Sequence, residues 1–159
     1  MKNIFFGLAA WLSFAAFPVA ADFVIAAKSS CAYGANSYSY QIGPSVLYSD
    51  LRVLTGPSVL YPDMRIRVVS DPSLASLIFV DDTLLSASAR TSVDMGICKQ
   101  TLYADKKIQA GPSVLYPDIR VLVGEGVLFQ DHTLFFRSDL FTLEEAAALF
   151  PAIWKFNEN

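Results

Sequence analysis

The chain has 159 residues, with 12 Lys plus Arg against 15 Asp plus Glu and a hydrophobic fraction of 53%. A net charge of −3 speaks against a nucleic-acid backbone as partner. Two cysteines and one histidine speak against a four-ligand zinc site.

Residues 1–21 carry Lys2, an uncharged apolar run from Ile4 to about Phe17, and a small-residue end, Val19-Ala20-Ala21. That is the layout of a secretory signal peptide cut before Asp22, and the apolar run is short for a membrane span. The expected product is an exported chain, periplasmic or secreted, with no stable membrane anchor after cleavage. Its 138 residues, 22–159, suffice for a single domain. Both cysteines, Cys31 and Cys98, survive cleavage into an oxidising compartment, so a disulfide between them is expected, with two free thiols as the alternative.

Next comes a segment rich in Tyr, Ser and Asn, in which Tyr33, Asn36, Tyr38 and Tyr40 form a candidate binding surface. The same stretch alternates as a half-buried strand would, with Tyr38, Tyr40 and Ile42 facing inward.

From Gly43 a thirteen-residue pattern takes over. GPSVLYSDLRVLT is followed at once by GPSVLYPDMRIRV, and GPSVLYPDIRVLV returns from Gly111; weaker copies are CKQTLYADKKIQA from Cys98 and GEGVLFQDHTLFF from Gly124. They form two blocks, 43–68 and 98–136. Each has leucine (47, 60, 102, 115, 128), then an aromatic (48, 61, 103, 116, 129), then two positions on an aspartate: Asp50, Asp63, Asp105, Asp118 and Asp131. A mostly basic residue follows (Arg52, Arg65, Lys107, Arg120, Thr133), and then a branched apolar one.

Val-Leu-Tyr and Ile-Arg-Val-Leu-Val favour strands and Pro-Asp favours a turn, so the unit reads as strand, turn, strand. A competing reading makes Gly-Pro-Ser-Val-Leu-Tyr a short turn feeding a single strand. Neither can bury an apolar face alone, so copies must lay Leu, aromatic and Val on those of the next. The expected fold is all-β or mostly β: an open β-solenoid of short repeats or a repetitive β-meander, with a short C-terminal helix.

The middle segment departs from the pattern. Asp71-Pro72-Ser73 opens a turn of helix, Leu77 to Val80 reads as a buried strand, and 83–94 as a loop or edge. At the end, Thr142-Leu-Glu-Glu145 is a capping box opening a short helix stopped by Pro151, whose apolar residues, with Trp154 and Phe156, plug one end of the stack.

Stacked aspartates would lie about 4.8 Å apart, close enough to share calcium. Against that, aspartate after proline ordinarily bonds nearby turn amides, and Arg52, Arg65 and Arg120 follow on the same face, so the repeated residues read as structural and no metal or cofactor is expected. His132, the sole histidine, falls at a turn, and no catalytic set is recognisable. The expected function is a non-catalytic structural or protein-interaction module with a protein partner or self-association. The alternative is a small ligand-binding or inhibitory protein using the tyrosine segment, and the third reading is an aspartate-dependent hydrolase.

Overall fold

The computed structural model describes residues 21–31 and 37–157. Residues 1–20 of the expected signal segment, with Tyr33 and Asn36, lie outside the described residues. Nine strands are present: β1 Phe23–Lys28, β2 Ser37–Gly43, β3 Leu51–Gly56, β4 Met64–Val69, β5 Leu77–Asp81, β6 Met95–Lys99, β7 Lys106–Gly111, β8 Ile119–Gly124 and β9 His132–Arg137. A four-residue helix α1, Ala87–Arg90, precedes β6, and helix α2, Leu143–Asn157, ends the chain.

All strands are parallel and close into one barrel in the order β1-β5-β9-β4-β8-β3-β7-β2-β6. The expected open solenoid or meander is therefore wrong, because every strand has a neighbour on both sides and the wall has no free edge. Consecutive strands never touch. Each lies two places from its predecessor, so the chain goes round twice and the second lap fills the gaps left by the first. Each copy supplies one strand and one connection, as in the competing reading of the unit.

Parallel neighbours ordinarily need a crossover of a dozen residues or more. Here seven suffice, as between Gly56 and Met64. The register explains the economy. A residue of Asp or Ser stands at the foot of every strand: Asp22, Ser37, Asp50, Asp63, Ser76, Asp94, Asp105, Asp118 and Asp131. At eight of the nine interfaces a foot lies level with the second residue after the neighbouring foot, and only Asp22 and Ser76 are in step. The total stagger is 8 × 2 = 16 residues. Nine strands with that stagger imply a tilt of about 50° and a wall radius of about 11 Å. A six-residue strand so tilted moves about 15 Å around the wall, which is two strand places, and ends above the foot of the strand that follows. The connection has only to descend the outside.

The feet hold this stagger in place. Oδ2 of Asp118 accepts the backbone N–H of Arg52 at 2.8 Å, and the N–H of Asp118 donates to the Arg52 carbonyl at 2.9 Å. Asp50 on Lys107, Asp63 on Arg120, Asp131 on Arg65 and Asp94 on Val24 repeat the two-pronged clamp. Asp105 on Ser39 and Ser76 on Thr133 use side-chain variants of it. At the foot the ladder runs out, and the carboxylate supplies the acceptor that another strand residue would have given. The amide held is on the adjoining strand, 57, 66 or 70 residues away, rather than in the local turn as expected.

Above each foot, alternate residues point inward in three layers. The middle layer, three residues above the foot, is Ile25, Tyr40, Val53, Ile66, Phe79, Ile97, Ile108, Val121 and Leu134, none more than 3% exposed. This ring closes on α2. Residues Glu145 to Ile153, nine in succession, are buried on all faces of the helix, and all but Glu145 and Pro151 share one cluster with the inward strand residues. A helix is about 10–12 Å across, which fits a wall of this radius once the wall's side chains are counted. Ala146, Ala147, Ala148 and Ala152 keep it thin. So α2 does not plug an end of a stack; it fills the barrel. It also runs through Pro151 instead of stopping there, since the surrounding wall compensates for one lost amide.

The capping box forms as the sequence predicts: the N–H of Thr142 donates to Glu145 Oε2 at 2.9 Å, and that of Glu145 to Thr142 Oγ1 at 3.2 Å. Lys99 Nζ adds a 2.7 Å ion pair to the same Oε2. Asp71 caps a 3-10 turn at Pro72–Leu74 as expected. In the middle segment β5 is the buried strand expected over Leu77 to Val80, whereas the stretch read as loop or edge holds α1, which covers an outer apolar patch of Val24, Ala26, Ile78, Val80 and Phe135, and a further strand, β6, follows it.

If the clamp depends on the oxygen and not the charge, Asp118→Asn should keep stability within about 0.5 kcal/mol of the parent, while Asp118→Ala should lose about 1 kcal/mol. Urea unfolding of the two variants measures the difference.

Candidate functional site

With the helix inside, the barrel has no through-cavity. Two surfaces carry features that packing alone does not explain: the mouth at the strand feet and the outer row of connections.

At the mouth, a cavity of about 250 Å³ lies where β7, β2 and β6 adjoin the C-terminal end of α2. Lys106, Tyr38 and Met95 come from the lowest inward layer of those three strands, Tyr40 from the layer above, and Ile153, Phe156 and Asn157 from the helix. Met95, Ile153 and Phe156 make the apolar side. Lys106 Nζ sits 4.7 Å above the Phe156 ring, a cation–π contact that holds the ammonium at the rim. Asp105 is anchored through Oδ2, which accepts from the N–H and Oγ of Ser39 at 2.7 and 2.9 Å.

Tyr40 is only 3% exposed, yet its hydroxyl makes no hydrogen bond to a described residue, and its oxygen is not fully enclosed. A buried phenol normally finds a partner, so this one opens into the cavity. Burial, then the neighbouring Tyr38 and Asp105, push its pKa from 10.0 to about 12. It is a neutral donor throughout the ordinary pH range. Of the four residues expected to form a binding surface, Tyr38 and Tyr40 therefore meet here. Tyr40 and Ile42 face the core as alternation predicts, while Tyr38 stays 42% exposed at the rim.

Beside the mouth, Cys31 is disulfide-bonded to Cys98 with Cα atoms 5.3 Å apart. The bond ties the β1–β2 connection to β6, and the expected pairing of the two cysteines is present.

The outer row is where expectation and structure differ most. The leucine and aromatic of each copy do not pack on the next copy. Leu47, Leu60, Leu102, Leu115 and Leu128 are 68–76% exposed, and Tyr48, Tyr61, Tyr103, Tyr116 and Phe129 are 86–94% exposed. Only the valine turns in, with Val46, Val114 and Val127 buried. Each aromatic has φ between +51° and +58°, a region that suits glycine or asparagine and strains an aromatic. Between two connections lies a cleft of about 630 Å³ lined by Pro57, Val59, Leu60, Tyr61, Pro112 and Arg120, among others. The sequence signal for this row was present: the two diverged copies lost Pro-Ser but kept Leu-aromatic, and one lost the glycine and the valine as well.

The recurrent aspartates are not brought together. With a two-residue stagger, neighbouring feet are about 8 Å apart, not 4.8 Å. Among the described residues, no three His, Cys, Asp or Glu side chains are grouped as a metal site would need. Arg52, Arg65 and Arg120 stand two residues above their feet, pointing outward, and lend the clamps their backbone amides. His132 faces Trp154 of the helix, ring centroids 5.1 Å apart. No helix among the described residues is long and apolar enough to cross a membrane. The expectation of an open structural or protein-interaction module falls with the open fold, because the closed wall leaves no solenoid end to pair with a partner. What remains is a compact closed barrel with a pocket at its mouth. No protein-family model, curated protein or solved structure matches the chain.

Ionisation of Tyr40 supplies a check on the mouth. The folded pKa lies above the unfolded one, so the stabilising contribution is complete below pH 10 and is lost as pH rises toward about 12. Absorbance titration should show a tyrosine ionising near the upper value, absent in Tyr40→Phe, and the parent's melting temperature should fall over that interval more than the variant's.

Proposed function

We propose that this barrel is a small exported ligand-binding protein whose site is the mouth pocket at Tyr38 and Tyr40. The observation that carries the reading is the Tyr40 hydroxyl, on a buried side chain, opening into a cavity of about 250 Å³ with no hydrogen-bond partner among the described residues. Barrel mouths are a common location for such sites. The volume admits a compact molecule of about ten non-hydrogen atoms. Its apolar body rests on Met95, Ile153 and Phe156. Its head accepts a hydrogen bond from Tyr40 and meets Tyr38, Lys106 and the remaining oxygen of Asp105.

Export is supported by the layout of residues 1–21 and by the disulfide, which persists in oxidising compartments. Intact-mass measurement of the natively exported protein should give a chain beginning at Asp22. A mass that still includes Met1 to Ala21 would overturn this part.

For the pocket, a library of monocyclic carbonyl and carboxylate compounds is screened by amide chemical shifts. Hits should perturb Tyr38, Tyr40, Met95 and Lys106. Tyr40→Phe, which removes one oxygen, should weaken them about tenfold, the value of one hydrogen bond, at unchanged fold. Hits that bind elsewhere, or equally well to Tyr40→Phe, would refute the assignment.

A further inference from the structure

The Leu-aromatic row calls for a different kind of ligand, because it is too long for a small molecule. Its five connections span consecutive places of the wall. In spatial order they carry Tyr103, Tyr48, Tyr116, Tyr61 and Phe129, as the strand order and the contacts of Gly111 with Pro44, Gly56 with Pro112 and Gly124 with Pro57 require. Equivalent atoms of neighbours are about 8 Å apart, so the row is about 30 Å long. In a closed barrel, a step of one strand sideways and two residues along keeps nearly constant height. All five pairs therefore lie at one level, two to three residues before the strand feet and thus toward the mouth end.

An arc on a convex wall offers a second barrel, set side by side, only one or two of its arms. A plane laid across the end reaches all five. The five rings alone expose on the order of 1,000 Å², well beyond the few hundred usual for an unpartnered patch. Within two residues of the feet of these units the charge is balanced: Arg52, Arg65, Lys106, Lys107 and Arg120 are matched one for one by Asp50, Asp63, Asp105, Asp118 and Asp131. Such a surface complements a layer of paired opposite charges, not one of a single sign. Tyrosine and leucine side by side suit a boundary that is apolar below and wet above.

We propose that the five Leu-aromatic arms seat the barrel, mouth down, on the surface of a phospholipid bilayer with zwitterionic headgroups. The aromatics enter the headgroup region and the leucines reach the acyl boundary. The strained φ is the cost of aiming each ring outward from the wall. This inference does not depend on the mouth pocket, although it places that pocket against the lipid.

The test is co-sedimentation of the mature protein with phosphatidylcholine vesicles, at low salt and at about 0.5 M salt, where surface charge is screened. A variant carrying Leu60→Ser, Tyr61→Asn, Leu115→Ser and Tyr116→Asn removes two adjacent arms. The parent should bind with little salt dependence and the variant at least tenfold more weakly. Single Tyr61→Asn, which relieves the left-handed strain, should melt above the parent while binding more weakly, a pairing that a purely structural role for the ring would not give. Quenching of the parent's fluorescence by lipids brominated near the headgroup gives a second readout. An unbound parent, undiminished binding by the four-site variant, or binding confined to acidic vesicles and abolished by salt would each overturn the proposal. So would a parent dimer in sedimentation velocity that the four-site variant dissolves, which would make the occupant a second copy.

Discussion

The two-residue stagger between neighbouring strands is the constraint from which the rest of the architecture follows. It sets the tilt, the tilt carries each strand two places around the wall, and that displacement makes a seven-residue descent enough where a parallel sheet otherwise inserts a helix. An odd number of strands taken two at a time returns to its start only after two laps. Nine closes the wall, and each strand of the second lap lies between two of the first. The clamp at the foot enforces this locally, because a carboxylate two residues out of register would leave the facing amide without an acceptor. Asp118 on Arg52 and Asp63 on Arg120 are the same contact made from opposite laps.

The same stagger decides what can be inside. A wall about 11 Å in radius is too wide for its own side chains to meet at the axis, so something must fill it. One ring of large residues, Ile25 through Leu134, and an alanine-rich helix do so. The cost is that the interior is spent on packing. Apart from Tyr40, whose hydroxyl opens toward the mouth, the charged inward groups among the described residues lie at the ends. At the top, Lys99 pairs with Glu145, and Asp81 accepts hydrogen bonds from Ser138 and the N–H of Asp139. At the bottom, Tyr38, Lys106 and His132 ring the mouth. Any ligand chemistry is thereby confined to the mouth and the outer surface.

Much of this was written in the sequence in a form that periodicity alone misreads. Leu-aromatic-x-Asp-x-basic-apolar locates five strands, yet the unit recurs nine times. Ser37 and Ser76 replace the aspartate at two feet, and the intervals around Asp94 are 18 and 11 residues instead of 13, so the middle segment passes for an insertion. Closure was not legible because identical adjacent copies suggest stacking of nearest neighbours, whereas these copies pair with the block 57 or 66 residues away. Leucine and tyrosine were read as core by type. What distinguishes them is the proline after Tyr61 and Tyr116, which marks the bend where the chain leaves its descent, and at that bend the side chains point to solvent. Tyr40 was legible through strand alternation, but its open hydroxyl required the helix end that completes the cavity.

The outer aromatics also bear on how stability and function are divided in this molecule. A left-handed backbone costs an aromatic residue roughly 1–2 kcal/mol, so five such positions together cost on the order of 5 kcal/mol or more, comparable to the whole net stability of many domains. An ordinary small sheet would relax those bends. Here four of the five bends are fixed on one side by the valine or proline packed against the wall, and all five on the other by a foot aspartate bonded to the adjoining strand. The closed wall, the enclosed helix and the Cys31–Cys98 bond supply the rigidity that keeps the strain in place. Asparagine or glycine would fill the same backbone at less cost. All five positions carry a ring that touches almost nothing in the protein, so what the ring does must be sought outside it.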